Sequence, residues 1–124
     1  MEVIICRDAA EVAHVAADVF EEYVHGPRPT TFGLATGSTP VALYRELIRR
    51  HKEEDLSFAG ITVFLLDEYV GLPRDHEQSY YRTIRREFTE HVDLNDDEVH
   101  SPDGSADNPG DAARAYDESI KQAG

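Results

Sequence analysis

The sequence is poor in cysteine, in basic residues and in long apolar runs. One cysteine, Cys6, among 124 residues excludes an intrachain disulfide. Its place in the run VIIC reads as a buried strand thiol, not a nucleophile. Lys and Arg number 12 against 25 Asp and Glu, a formal net charge of −13. Such a balance argues against a nucleic-acid backbone or an anionic membrane as the main partner, because both repel an acidic surface. No stretch approaches the ~20 apolar residues that span a bilayer. The start, MEVIICRDAAE, lacks the basic segment and long apolar run of a secretory signal, so a cytoplasmic protein is the default reading. Six histidines (His14, His25, His51, His76, His91, His100) fall on separate predicted elements with no HxxxH or HxH pair, and no metal site is expected.

What is present is enough for a core, with 40% hydrophobic residues. Val3–Cys6 reads as a short buried strand. Asp8, with Glu11 three residues on, marks a capped helix start. From Ala9 to Val24 the residues Val12, Val15, Ala16, Val19, Phe20 and Tyr23 recur at helical spacing. HGPRPT breaks that helix, and Thr31–Ala35 is the next strand. Thr39 followed by Pro40 predicts a hydroxyl N-cap with proline at the first helical position. The helix that follows carries the stripe Leu43, Tyr44, Leu47 and Ile48, with Val41 at its edge. Arg49, Arg50 and Lys52 suit the negative end of its dipole. Ile61–Leu66, apolar at nearly every position, predicts a strand covered on both faces. A loop with Gly71 and Pro73 leads to a helix from Ser79 to His91 bearing Tyr81, Ile84 and Phe88. Val99 and His100 suit a brief strand, and Pro109 opens a last helix striped by Ala113, Tyr116 and Ile120.

Strands alternating with helices predict an α/β fold with a mostly parallel sheet and helices on both faces. Three strands alone leave edges open and bury little area, so residues 1–124 read as the N-terminal part of a single, longer domain. No repeat, low-complexity tract or interdomain linker interrupts them.

Two segments carry chemistry. In GLATGSTPVALY a strand ends in the turn Thr36-Gly37-Ser38-Thr39 at a helix N-terminus, where ligands of parallel sheets bind and where unpaired N–H groups and the dipole favour an anion. Gly37 allows close backbone approach, and three hydroxyls add donors. The turn has neither the length nor the lysine of a nucleotide P-loop, and it lacks the three-glycine dinucleotide fingerprint. A phosphate monoester fits, completed by a cation from elsewhere. The bland alternative is a tight strand–helix turn. In FLLDEYVGL, Asp67 and Glu68 follow a buried strand. A partly desolvated carboxylate there is a candidate base for abstracting a proton from carbon. Asp67 is the residue chosen, with Glu68 supporting it or pairing with a cation; a loop carboxylate capping backbone N–H groups is the alternative.

Together, LATGSTPVALYREL and LDEYVGLPRDHEQSYY resemble the glucosamine-6-phosphate deaminase (isomerase) family, in the same order and separation, and SFAGITVFLLDEYVGL and FTEHVDL extend the likeness over nearly the whole chain. The resemblance implies a Rossmann-like three-layer αβα sandwich. It implies that Thr36, Gly37, Ser38 and Thr39 hold the phosphate of a small sugar phosphate, and that Asp67 is the acid/base moving a proton between C2 and C1. Glu68, Tyr69 and Tyr80 are candidate pocket-lining residues. The implied reaction turns glucosamine 6-phosphate and water into fructose 6-phosphate and ammonia, in amino-sugar catabolism, without metal or organic cofactor. The family's following motif, of the DGHxAFNEP type, supplies the ring-opening group and has no match here; His100 is followed by SPDG. A 6-phosphogluconolactonase-like hydrolase shares the turn but resembles DER where this chain has DEY. A non-catalytic phosphosugar-binding module is the third reading, and a homo-oligomer stays open.

Overall fold

The computed structural model describes residues 1–27 and 29–124. The break predicted over HGPRPT therefore includes Arg28, which lies outside the described residues.

Helix α1 runs over Ala9–Val24, strand β1 over Thr30–Leu34, α2 over Val41–Glu54 and β2 over Ile61–Leu65. Helix α3 spans Tyr80–Glu87, β3 Val99–His100 and α4 Pro109–Ala123. The sheet order is β1-β2-β3 and both pairings are parallel, with Leu34 opposite Leu65 and Phe64 opposite His100. The fold is α/β in three layers. Side chains of one sheet face (Leu34, Ile61, Val63, Leu65, Val99) join Leu47, Tyr44, Ile84 and Phe88 from α2, α3 and the residue after it in a single core. Phe20 of α1 stacks on Phe32 of β1 at 4.7 Å between ring centroids. On the other face, Tyr116 of α4 packs edge-on against Phe64, which stacks on His100. β2 is buried at four of its five positions, as its unbroken apolar run requires.

Local chemistry sets the helix ends. The Asp8 side chain accepts from Glu11 N–H at 2.9 Å, and the Glu11 carboxylate accepts from Arg7 N–H at 2.6 Å, a reciprocal cap set one residue further out than the usual box. Ser79 caps α3 by accepting from Arg82 N–H at 3.1 Å, and Asn108 caps α4 by accepting from Asp111 N–H at 3.1 Å.

Six expectations are corrected. Val3–Cys6 is not a strand: Val3, Ile4 and Ile5 are 71, 55 and 93% exposed, and Cys6 is half-buried. A strand needs a neighbour for its backbone groups, and none of the described strands pairs with this segment. Thr39 does not cap α2. Pro40 occupies the N-cap position without a side-chain cap bond, and Thr39 belongs to the preceding turn, closed by Val41 N–H donating to Ser38 O at 3.4 Å. In α1 the buried residues are Ala13, Ala17 and Val24, whereas Val12, Val19 and Tyr23 are exposed. The small residues let the helix approach its neighbours; the larger apolar side chains occupy another flank. Arg50 does not simply complement a dipole in solvent; it is 4% exposed and ion-paired to Asp18, Glu21 and Glu46. In α4 no residue is fully buried: Tyr116 is half-buried, and Ala113 and Ile120 are exposed. The helix predicted to His91 ends at Glu87 and continues as the 3-10 turn Thr89–His91.

Candidate functional site

The site is built at the carboxyl ends of β1 and β2. Because Leu34 and Leu65 are in register on adjacent parallel strands, the segments Thr36–Thr39 and Asp67–Glu68 leave the same edge of the sheet side by side. Neither β1 nor β2 can slip by one residue without turning its core face outward, so this juxtaposition is fixed by burial.

Two tyrosines anchor these strand ends. The Tyr44 hydroxyl of α2 donates to the Ala35 carbonyl, immediately before the turn. Burial pushes the Tyr44 phenol up to about 12, so it remains a donor at neutral pH. From the opposite layer, the Tyr116 hydroxyl lies 2.7 Å from the Leu65 carbonyl and 3.1 Å from that of His100, holding α4 to the ends of β2 and β3. Burial raises this phenol as well. Helical spacing marks both tyrosines only as apolar stripe residues. Their hydroxyl partners lie on other elements, and nothing in a single sequence points to them.

The turn itself is open. Gly37 has φ +101°, a backbone region that a side chain strains, and nothing lies within 4 Å of where its Cβ would be. Thr36 is half-buried; Ser38 and Thr39 are exposed. Among the described residues, no hydrogen bond engages the hydroxyls of Thr36, Ser38 or Thr39, or the N–H groups of Gly37, Ser38 and Thr39. Unspent donors at the start of a fourteen-residue helix suit an anion.

Asp67 and Glu68 differ sharply. Asp67 is exposed, so the burial expected at the mouth of β2 is not met within these residues. The Glu68 carboxylate is spent on backbone: one oxygen accepts from Tyr69 N–H and Tyr80 N–H, both at 2.9 Å, and the other from Tyr81 N–H at 3.1 Å. Tyr80 and Tyr81 open α3, so Glu68 caps that helix from the end of β2 and closes the intervening loop. Of the roles read from the sequence, backbone capping describes it; it is in no ion pair among the described residues and is not part of the cleft lining.

Tyr69 and Tyr80 stand together, rings 4.6 Å apart, with the Tyr80 hydroxyl donating to that of Tyr69 at 3.0 Å. That bond, then desolvation, then the negative charges of Asp67 and Glu68 raise the Tyr80 phenol to about 12. Both tyrosines line an open cleft of about 830 Å³ with Leu72, Gln78, Thr83 and Arg86. The loop beneath is pinned by close packing: a Cβ on Gly104 would lie 2.1 Å from the Tyr69 carbonyl, and Gly71 N–H donates to Gly104 O at 2.7 Å.

The family described as glucosamine-6-phosphate isomerases/6-phosphogluconolactonase matches residues 7–124. The chain belongs to this family. A glucosamine-6-phosphate deaminase of Corynebacterium kroppenstedtii is 63% identical over all 124 residues, which make up 47% of that protein. One from Rhodococcus jostii is 48% identical, again over the whole chain and 48% of the relative. Among solved structures, a monomeric glucosamine-6-phosphate deaminase superposes with a TM-score of 0.94 at 35% identity, over 98% of this chain and 51% of that one. The 6-phosphogluconolactonase of Thermotoga maritima shares the fold at a TM-score of 0.72 and 22% identity. The chain thus spans about half the length of the curated relatives it matches. Among the described residues no helix is long and apolar enough to cross a membrane.

Proposed function

We propose that this chain supplies the phosphate-holding and proton-carrying part of a cytoplasmic glucosamine-6-phosphate deaminase serving amino-sugar catabolism. One observation carries the reading: the hydroxyl-rich turn with unspent donors and the DEY segment leave adjacent parallel strands in register. The family and its deaminase-named relatives support it. In this reading Thr36, Gly37, Ser38 and Thr39 hold the phosphate through backbone and hydroxyl donors at α2. Such donors act against the field of these 124 residues, whose net charge of −13 repels an anion at long range, and a cation from elsewhere would complete the site.

The sugar would then extend from the turn toward Asp67. In the open-chain amino sugar, Asp67 removes the C2 proton, and the electron pair moves into the C1 carbonyl to give an enolamine. The proton returns to C1, leaving an imine at C2. Water adds there and ammonia departs, so one water enters and fructose 6-phosphate and ammonia leave. Tyr69 and Tyr80 line the cleft wall beside Asp67, and Glu68 keeps that wall attached to α3. No DGHxAFNEP-like run is present to open the ring, so these 124 residues are expected to bind sugar phosphate without turnover.

The test joins this chain to the unmatched remainder of the C. kroppenstedtii deaminase and measures ammonia release from glucosamine 6-phosphate. Asp67→Asn should abolish release while leaving fructose 6-phosphate binding intact; undiminished release in that variant removes Asp67 from the chemistry. Hydrolysis of 6-phosphogluconolactone without ammonia release would establish the lactonase reading instead. Binding without either activity would favour the phosphosugar module.

A further inference from the structure

After His100 the chain runs SPDGSADN, a stretch for which the proposed reaction has no use. It passes under the loop that follows Asp67 and Glu68. The Gly71 N–H donates to the Gly104 carbonyl at 2.7 Å, and the Ser105 hydroxyl donates to the Leu72 carbonyl at 3.3 Å. A Cβ on Gly104 would stand 2.1 Å from the Tyr69 carbonyl oxygen and 3.1 Å from that of Leu72. Gly104 does not have a positive φ, so space and not backbone torsion demands glycine here. The far side of the same loop is tied to the strand from which this stretch departs. The Arg74 guanidinium donates to the Val99 carbonyl at 2.9 Å and lies over the Tyr81 ring, 3.7 Å from its centroid.

What Gly104 touches is the residue that joins the candidate base to the cleft. Tyr69 is held at three points: its N–H by Glu68 at 2.9 Å, its hydroxyl by that of Tyr80 at 3.0 Å, and its carbonyl against the bare α-carbon of Gly104. The Asp67 side chain, by contrast, engages no hydrogen bond or ion pair among the described residues, so its place is inherited from its flanks. Upstream the flank is Leu65, fixed in the sheet and by the Tyr116 hydroxyl. Downstream it is Tyr69 on Gly104. The stretch that carries Gly104 is stiff. Pro102 fixes a torsion, and the Asp103 side chain accepts from Ser105 N–H at 2.9 Å. Its ends are anchored at His100 in β3 and at Asn108, the cap of α4.

We propose that Gly104 is a positioning residue: it seats the Tyr69 carbonyl and thereby sets where the Tyr69 ring and Asp67 stand. Any other residue at 104 brings a Cβ against a backbone carbonyl, which cannot rotate aside as a flexible side chain can. To reach ordinary contact the carbonyl must retreat by roughly 1 Å, a misplacement that costs up to about a hundredfold in rate when it falls on a reacting group. The Thr36–Thr39 turn leaves β1, outside this chain of contacts, so phosphate holding is spared. In its kinetic part the proposal rests on the role proposed above for Asp67; the seat itself is a matter of packing.

The test is Gly104→Ala, made in this chain and in its fusion to the unmatched remainder of the C. kroppenstedtii deaminase. In the chain, proton NMR follows the Tyr69 and Tyr80 rings, whose centroids lie 4.6 Å apart. Their mutual ring-current shifts and cross-ring Overhauser contacts should weaken as Tyr69 is pushed off its seat. In the fusion, kcat for ammonia release from glucosamine 6-phosphate should fall by about ten- to hundredfold, with KM changed by less than about threefold. Fructose 6-phosphate should bind as before. Arg50→Met, which loosens α1 from α2 and touches neither loop, is the control for lost stability and should leave the ring signals and kcat unchanged. If Gly104→Ala does not fold, Ser105→Ala takes its place: without the bond to the Leu72 carbonyl the ring signals should shift and kcat fall by about two- to threefold at constant KM. Unmoved ring signals in Gly104→Ala mean that the stretch around residue 104 yields instead, and overturn the proposal. So do moved signals with unchanged kcat, a loss carried by KM, an equal effect of Arg50→Met, or a Ser105→Ala variant unchanged in both readouts. If the unsubstituted fusion releases no ammonia, the proposed reaction fails, and the ring signals alone decide whether Gly104 seats Tyr69.

Discussion

Arg50 is the polar joint between α1 and α2, and its replacement by methionine measures what the joint is worth. Its guanidinium donates to Glu46 at 2.9 Å, Glu21 at 2.7 Å and Asp18 at 2.8 Å, with a fourth contact to the His14 carbonyl at 3.3 Å. The Arg50 side chain is 5% exposed, but Asp18 is 58% and Glu21 34% exposed. In Arg50→Met those two carboxylates turn to water at little cost, and Glu46 keeps Arg49 as its partner. What is lost is three charge-assisted bonds in a partly wet setting, about 0.5–1 kcal/mol each. Methionine returns some packing, and the desolvation cost of the guanidinium disappears. The net expectation is a loss of about 2 kcal/mol, read as a lower urea midpoint with unchanged slope. Arg50→Lys should recover little, since a point charge cannot bridge three carboxylates. A double-mutant cycle with Glu21→Gln should show coupling of about 1 kcal/mol. Equal or greater stability in Arg50→Met would refute the reasoning, because it would mean that apolar contacts alone hold α1 to α2.

Three further outcomes follow from the same geometry. Tyr44→Phe should cost about 1 kcal/mol and increase amide exchange at Thr36–Thr39, because the Ala35 carbonyl loses its donor; unchanged exchange there would show that the turn does not rely on Tyr44. Glu68→Gln offers one acceptor oxygen in place of two, so exchange at Tyr80 and Tyr81 should rise relative to β2, with a loss of about 1 kcal/mol; an α3 unaffected in exchange would refute the cap. Acid should destabilise the fold early. Hydrogen bonds from Arg49 first, and also from Arg50, outweigh burial and hold Glu46 down to about 2, and Asp93 is lowered because bonds from Ser57 and Phe58 N–H outweigh its desolvation. A carboxyl lowered on folding adds stability above its ordinary range near 4.5 and loses it as pH falls toward 2, so urea midpoints should drop between those values and stay flat from pH 6 to 7. No drop by pH 3 would refute it.

The sequence by itself determined the elements whose signals are local. The Asp8 cap, the unbroken apolar run of β2, and Pro109 at the start of α4 each act within a few residues, and α1, β2 and α4 begin where read. It also determined the site's ingredients, since the Thr36–Thr39 turn and the Asp67–Glu68 pair sit directly after strands. Only the tertiary structure decided what depends on a neighbour. Val3–Cys6 has strand composition but no partner for its backbone. Helical period showed that α1 has apolar residues, but packing against α2 and the core chose Ala13 and Ala17 over Val12 and Val19, because small side chains allow the closer approach. Arg50 became a buried joint only when α1 brought carboxylates to it. Glu68 became a helix cap only when the loop returned α3 to the end of β2. Local propensity is written residue by residue, whereas burial and hydrogen-bond partnership belong to pairs of segments that the chain brings together from far apart.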